Sequence, residues 1–211
     1  ELAAIADRGE TRRLETWPAP GPHLQDGTRT LLNLASNDYL GLTQHPAVRE
    51  AAARAVRDVG PGSTASRLLA GTFRLHTELE ENLAAWKGHP TALLFSSGYL
   101  AALGVVTVAA GRGDLIVADR LSHACLLDAA LLSGAKLLRF KHNDLDDARR
   151  VLKDRSAFQR CLIITESIFS MDGDRAPVSE LLTLAEQNDA LLLVDEAHAL
   201  GAAGPRGAGL T

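Results

Sequence analysis

The chain has 211 residues, 46% of them hydrophobic and 23% charged, which predicts one folded domain, or one and part of another, and rules out a mainly disordered state. Its formal charge of −4 argues against a nucleic-acid partner, and two cysteines, Cys125 and Cys161, are too few for a disulfide framework and lack metal-site spacing. No run of 18 apolar residues exists and no signal pattern opens the chain, so a reducing, cytoplasmic setting without a membrane span is expected. The first residue is Glu1 rather than Met, which reads as a chain lacking some N-terminal residues.

Residues 1–30 read as a polar, partly helical arm ending in Pro18, Pro20, Gly21 and Pro22. Thr43 is placed to cap a first helix, with Pro46 in its first turn and an apolar stripe through Val48, Ala51, Ala52, Ala55, Val56 and Val59. Gly60 and Pro61 stop it, and a Gly/Ser/Thr-rich stretch to Gly71 reads as a loop or a ligand cradle. A second helix follows over 75–87, closed by Gly88.

From residue 91 the pattern changes. Five short apolar runs, Thr91–Phe95, Leu115–Ala118, Lys136–Phe140, Cys161–Thr165 and Leu191–Val194, alternate with helices near 99–110, 123–133, 144–154 and 178–188. The runs are apolar at nearly every position, as in strands buried on both faces, so the fold class is α/β with a mostly parallel sheet flanked by helices. Such sheets bind ligands beyond the carboxyl ends of their strands. Polar residues stand there: Ser96, Ser97, Gly98 and Tyr99 after the first run, Asp119 and then His123 after the second. Glu166, followed by Ser170, Met171 and Asp172, comes after the fourth, and Asp195, Glu196 and His198 after the fifth.

Each has two readings. The turn at Gly98 is either an anion site on a helix N-terminus or a plain capped turn. Asp195 either holds a protonated ring nitrogen or caps the next turn. His123 either stacks on a ligand ring or faces solvent at a helix start, and His198 either reaches the same ligand or is structural. Ser170 either bonds a phenolate-like oxygen or closes a turn. Glu166 alone reads as structural. By its letters Asp195-Glu196-Ala197-His198 is a helicase box, but no GxxxxGK[ST] loop precedes it, and neither HExxH nor a paired CxxC offers a metal site.

Taken in order, Ser36-Asn37-Asp38-Tyr39-Leu40-Gly41-Leu42, the Gly60–Gly71 stretch with His76, Leu79 and Glu80, then Phe95–Tyr99, Asp119–Ala124, Glu166–Asp174 and Asp195–His198 resemble the α-oxoamine synthase family of pyridoxal-phosphate enzymes, over about residues 32–209. Arg139-Phe140 followed by His142-Asn143-Asp144 is most similar to the members that condense L-alanine with a pimeloyl thioester, carried by coenzyme A or a carrier protein, in biotin biosynthesis. The alternatives are relatives that take glycine with an acetyl or succinyl thioester, or a lysine-less subunit.

The resemblance implies a type I aminotransferase-like fold, pyridoxal 5'-phosphate as cofactor, and a homodimer with its active sites at the interface. It implies residues 1–40 as an N-terminal arm and the start of a small domain, and 41–211 as an incomplete cofactor-binding large domain, truncated before the C-terminal small domain. It implies backbone contacts to the cofactor phosphate from Gly98 and Tyr99, His123 stacked on the ring, and Asp195 on its nitrogen. Ser170 and His198 would bond the ring oxygen, Asn37 and Glu166 would face the substrate, and Arg13 would take the acyl group. His123 and Asp195 would be the catalytic pair. The family's Schiff-base lysine falls about thirty residues beyond His198, and Lys87, Lys136, Lys141 and Lys153 hold no matching place, so this chain alone is expected to be inactive. The competing class, a module that holds a phosphorylated ligand without chemistry, explains Gly98 but leaves His123, Asp195 and His198 without work.

Overall fold

The computed structural model describes residues 2–12, 14–17 and 21–211, so the expected acyl contact Arg13 lies outside the described residues. The chain divides into two compact units, residues 1–62 and 63–211. The first holds a short helix α1 (Leu2–Asp7), a hairpin of β1 (His23–Asp26) and β2 (Arg29–Leu32), and helix α2 (Pro46–Val59). Sequence patterning missed the hairpin, although Asp26-Gly27 is a common two-residue turn signal. Its register pairs Asp26 with Arg29 across Gly27-Thr28. Thr43 does not cap α2. The cap is His45, after a 3₁₀ turn over Leu42–Gln44, and the Thr43 hydroxyl donates to Asp38 instead.

The second unit runs α3 (Arg74–Lys87), α4 (Gly98–Ala109), β3 (Leu115–Asp119), α5 (Ala124–Ser133), β4 (Lys136–Phe140), α6 (Leu145–Val151), β5 (Cys161–Glu166), α7 (Val178–Gln187) and β6 (Leu191–Asp195). The four strands form one parallel sheet in the order β4-β3-β5-β6. Every residue of β3 and β5 is buried. Their side chains alternate between two cores. Ile116, Ala118, Leu162 and Ile164 pack under α4 and α5, while Leu115, Val117, Cys161 and Ile163 pack under α6 and α7 with Phe140. This alternation explains the continuous apolar runs, because both faces of each strand bury side chains.

The edge strands β4 and β6 are only half-buried, so the expectation of a buried strand opening at Lys136 is corrected: Lys136 is exposed. The run Thr91–Phe95 is not a strand. A strand needs a ladder partner, and this segment has none among the described residues; its Leu94 N–H donates to Glu80 Oε1 at 2.8 Å instead. The helix expected over 144–154 stops at Val151 and continues as a 3₁₀ turn to Ala157.

Beyond β6 the chain is fastened to the C-terminal end of α3. Lys87 pairs with Glu196 and donates to the Ala208 carbonyl (2.8 Å) and the Thr211 hydroxyl (3.0 Å), while Glu196 accepts from the Leu210 and Thr211 amides. Trp86 Nε1 donates to the Arg206 carbonyl at 3.2 Å. No helix is long and apolar enough to cross a membrane among the described residues.

Candidate active site

The parallel sheet places Asp119, Glu166 and Asp195 at the carboxyl ends of β3, β5 and β6, where α/β sheets bind ligands. Glu166 and Asp195 are register partners on adjacent strands, and the Ser167 N–H donates to the Asp195 carbonyl at 2.8 Å. Glu166 is buried. Its Oε1 accepts the His123 backbone N–H at 2.6 Å. Burial pushes its carboxyl above the usual glutamate range; the His123 bond opposes this, the Asp195 charge adds to it, and the charges of His123 and His198 pull the other way. Those electrostatic links gather His123, Glu166, Asp195 and His198 around one sheet end.

His123 caps α5. Its Nδ1 accepts the Cys125 amide N–H at 3.2 Å and lies 3.0 Å from the Cys125 thiol, and the residue is exposed, so Nε2 and the ring faces are left for a ligand. Asp195 is half-buried, and its Oδ1 accepts from the Ala197 N–H at 2.8 Å. The capping role weighed for this residue is therefore real, and it uses one carboxylate oxygen. No lysine or arginine pairs with Asp195 among the described residues, so a cationic ring nitrogen would meet a carboxylate still in need of positive charge.

Gly98 opens α4, a twelve-residue helix capped by the Ser97 hydroxyl, which accepts the Leu100 N–H at 3.2 Å. The amides of Gly98 and Tyr99 have no acceptor among the described residues, and a side chain built on Gly98 would meet nothing within 4 Å. The helix end therefore presents two donors in open space, which suits a phosphate. The Tyr99 hydroxyl is occupied elsewhere. It donates to Asp128 on α5 at 2.8 Å, a bond that raises its pKa.

Ser170 sits exposed in the loop between β5 and α7, with no bond to the other site residues among those described. Asn37 is exposed in the first unit. A cavity of about 810 Å³ opens beside the Ser96 turn, bordered by Arg67, His76, Leu79, Leu93 and Phe95.

Patterning missed the polar network one layer below. Buried Asp119 accepts from the Leu121 N–H (2.8 Å) and the Asn143 N–H (2.9 Å), and its Oδ1 lies 3.0 Å from His142 Nδ1. His142 Nε2 lies 2.8 Å from Asp174 Oδ2. The available signal was position: Asp119 ends β3, and His142 follows β4 by two residues.

Residues 29–210 match the family model described as aminotransferase class I and II. The 8-amino-7-oxononanoate synthase of Nitrosomonas europaea is 56% identical over 188 residues, covering 89% of this chain and 48% of that protein. That of Anaeromyxobacter sp. (strain K) is 50% identical over 211 residues, the whole of this chain and 53% of its own length. A serine palmitoyltransferase variant from S. paucimobilis, solved with a bound PLP–myriocin aldimine, superposes with a TM-score of 0.87 at 33% identity, over 98% of this chain and 53% of that one. This chain thus spans about half the length of the curated relatives it matches. It belongs to the aminotransferase class I and II family.

Proposed function

We propose that the protein carrying this chain is a pyridoxal-phosphate-dependent acyltransferase that condenses L-alanine with a pimeloyl thioester, releasing carbon dioxide and forming 8-amino-7-oxononanoate in biotin biosynthesis. The cytoplasm is its expected location, and a homodimer its expected form. The observation that carries the cofactor reading is the pairing of two separate features at the sheet end: a half-buried carboxylate, Asp195, that no lysine or arginine pairs among the described residues, and a helix N-terminus whose Gly98 and Tyr99 amides find no acceptor among the described residues. They suit the two ends of pyridoxal phosphate, a protonated ring nitrogen and a phosphate. When bound, that cofactor supplies an electron sink.

The chain's own residues divide the remaining work. Gly98 and Tyr99 hold the phosphate through backbone N–H groups. Asp195 keeps the ring nitrogen protonated. His123 lies against the ring and turns Nε2 toward the substrate; Glu166 fixes it there by taking its backbone N–H. Ser170 and His198 bond the ring oxygen. Asn37 is assigned to face the reacting substrate by its place in the Ser36–Leu42 motif, and Arg13, which precedes every matched motif, is assigned to the acyl group only as an arginine of the N-terminal arm. In these roles His123 and Asp195 are the catalytic residues. The identity to 8-amino-7-oxononanoate synthases favours alanine and a pimeloyl thioester as substrates.

The test uses the full-length enzyme. Asp195→Asn is expected to lower turnover by orders of magnitude, since a neutral partner no longer holds the ring protonated. Alanine with a pimeloyl thioester should react far better than glycine with an acetyl or succinyl thioester. Normal turnover in Asp195→Asn removes the cofactor role of this carboxylate, and a reversed preference moves the enzyme to another α-oxoamine synthase activity.

A further inference from the structure

The motif His142-Asn143-Asp144 has no place in the chemistry above, yet it is built into the sheet end. Asp144 is spent on local structure: it caps α6, its Oδ1 accepting the Asp147 N–H at 2.9 Å. The other two residues reach across. His142 Nδ1 meets Asp119, a fully buried carboxylate ending β3, and His142 Nε2 meets Asp174, in the loop between β5 and α7. Asn143 Nδ2 donates to the same Asp174 oxygen at 2.6 Å and to the Arg175 carbonyl at 3.3 Å. Phe169, buried in that loop, sets its ring at 90° to His142 with centroids 4.4 Å apart. The loop's remaining bonds near its tip are internal: Phe169 N–H to the Asp174 carbonyl, Gly173 N–H to the Phe169 carbonyl, and a bridge between Ile168 and Arg175. These shape the loop, whereas His142 and Asn143 tie it to the neighbouring strand ends. At its tip stand Ser170 and Met171, both exposed.

We propose that His142 is a positioning residue, clamping the 167–175 loop to the ends of β3 and β4 through both ring nitrogens and so holding Ser170 in place for the cofactor. The part concerning Ser170 rests on the pyridoxal-phosphate reading. The clamp itself rests only on geometry. A neutral imidazole has one N–H and can donate to one carboxylate; bonding to both requires the doubly protonated ring. Burial works against that charge, but the bonds to Asp119 and Asp174 outweigh it, and the pKa of His142 is raised. The charged groups facing the ring are Asp119 from β3 and Asp174 and Asp172 from the loop, all acidic. The clamp is therefore closed below the ordinary histidine range and is released as pH rises through the raised value.

Met171 is the only methionine in this chain, and it lies 89% exposed at the loop tip. Its ¹³C-methyl resonance, assigned in the full-length protein through Met171→Leu, reports on the loop without any cofactor. His142 ring nitrogens should stay doubly protonated above the ordinary range, and the Met171 methyl should shift with the same midpoint. In His142→Asn the methyl line should sharpen and lose its pH dependence, and pyridoxal-phosphate affinity should fall by roughly ten- to a hundredfold, the loss expected for a charge-assisted bond. Asp174→Asn, which leaves buried Asp119 paired, guards against misfolding and should release Met171 in the same way. A Met171 signal indifferent to pH and to both variants overturns the clamp. A released Met171 with unchanged cofactor affinity overturns the link to Ser170 while leaving the cofactor reading, tested at Asp195, intact.

Discussion

Glu166 ties the structure of the sheet end to the site proposed there. Its carboxylate takes the backbone N–H of His123, and it stands beside Asp195 with little water to share. Glu166→Ala leaves that part-buried N–H without its acceptor and should cost about 1 kcal/mol in chemical denaturation. Glu166→Gln keeps an accepting oxygen and should cost less. Because burial raises the folded pKa, the native state holds this proton more tightly than the unfolded chain does. Wild-type stability should therefore fall as pH rises from the ordinary glutamate value to the raised one, and stay level beyond it. The Gln variant should lack that slope, so it gains on wild type across the window. At this scale the sequence was readable wherever a polar residue ends an apolar run, which is how Asp119, Glu166 and Asp195 stood out. The Glu166–His123 bond and the His142 clamp were not readable. Both join residues tens of positions apart, 43 in the first case, through side-chain geometry that no spacing rule encodes.

Elements were legible where local pattern decides them. β3, β5 and α5 follow their apolar runs and end at a glycine or a polar residue. Thr91–Phe95 failed for a physical reason: its composition suits a strand, but strand formation depends on a neighbour that local composition does not reveal. The hairpin before residue 33 failed oppositely, since its polar strands carry almost no apolar alternation. Between elements, the fastening of α3 to the last residues centres on the ion pair Lys87–Glu196, exposed by only 19% and 11%, beside the Trp86 bond to the Arg206 carbonyl. Lys87→Met leaves a buried carboxylate without its cation and should destabilise the fold by about 2–3 kcal/mol in a denaturant melt. Burial favours the neutral form of Glu196, but the bonds from Lys87, Thr211 and Leu210 prevail and lower its pKa. The contribution of this carboxylate is thus complete above the ordinary glutamate value and is lost as pH falls through the depressed one. Acid should free residues 204–211 in wild type, and limited proteolysis across that range measures it.

For the second unit as a whole, the sheet is unevenly protected. β3 and β5 are covered on both faces and paired on both edges, whereas β4 and β6 each have one edge without a strand partner among the described residues and half-exposed side chains. The relatives this chain matches are about twice its length. The two-sided burial of β3 and β5 has a consequence for hydrogen exchange. Amides at Val117 and Ile163 can meet deuterated solvent only when both cores open together, so their exchange reports the global unfolding free energy. Amides of β4 and β6 can exchange through smaller openings at the edges. A time course in heavy water should leave a protected belt two strands wide at the centre of the sheet, with denaturant shrinking its protection more steeply than that of either edge.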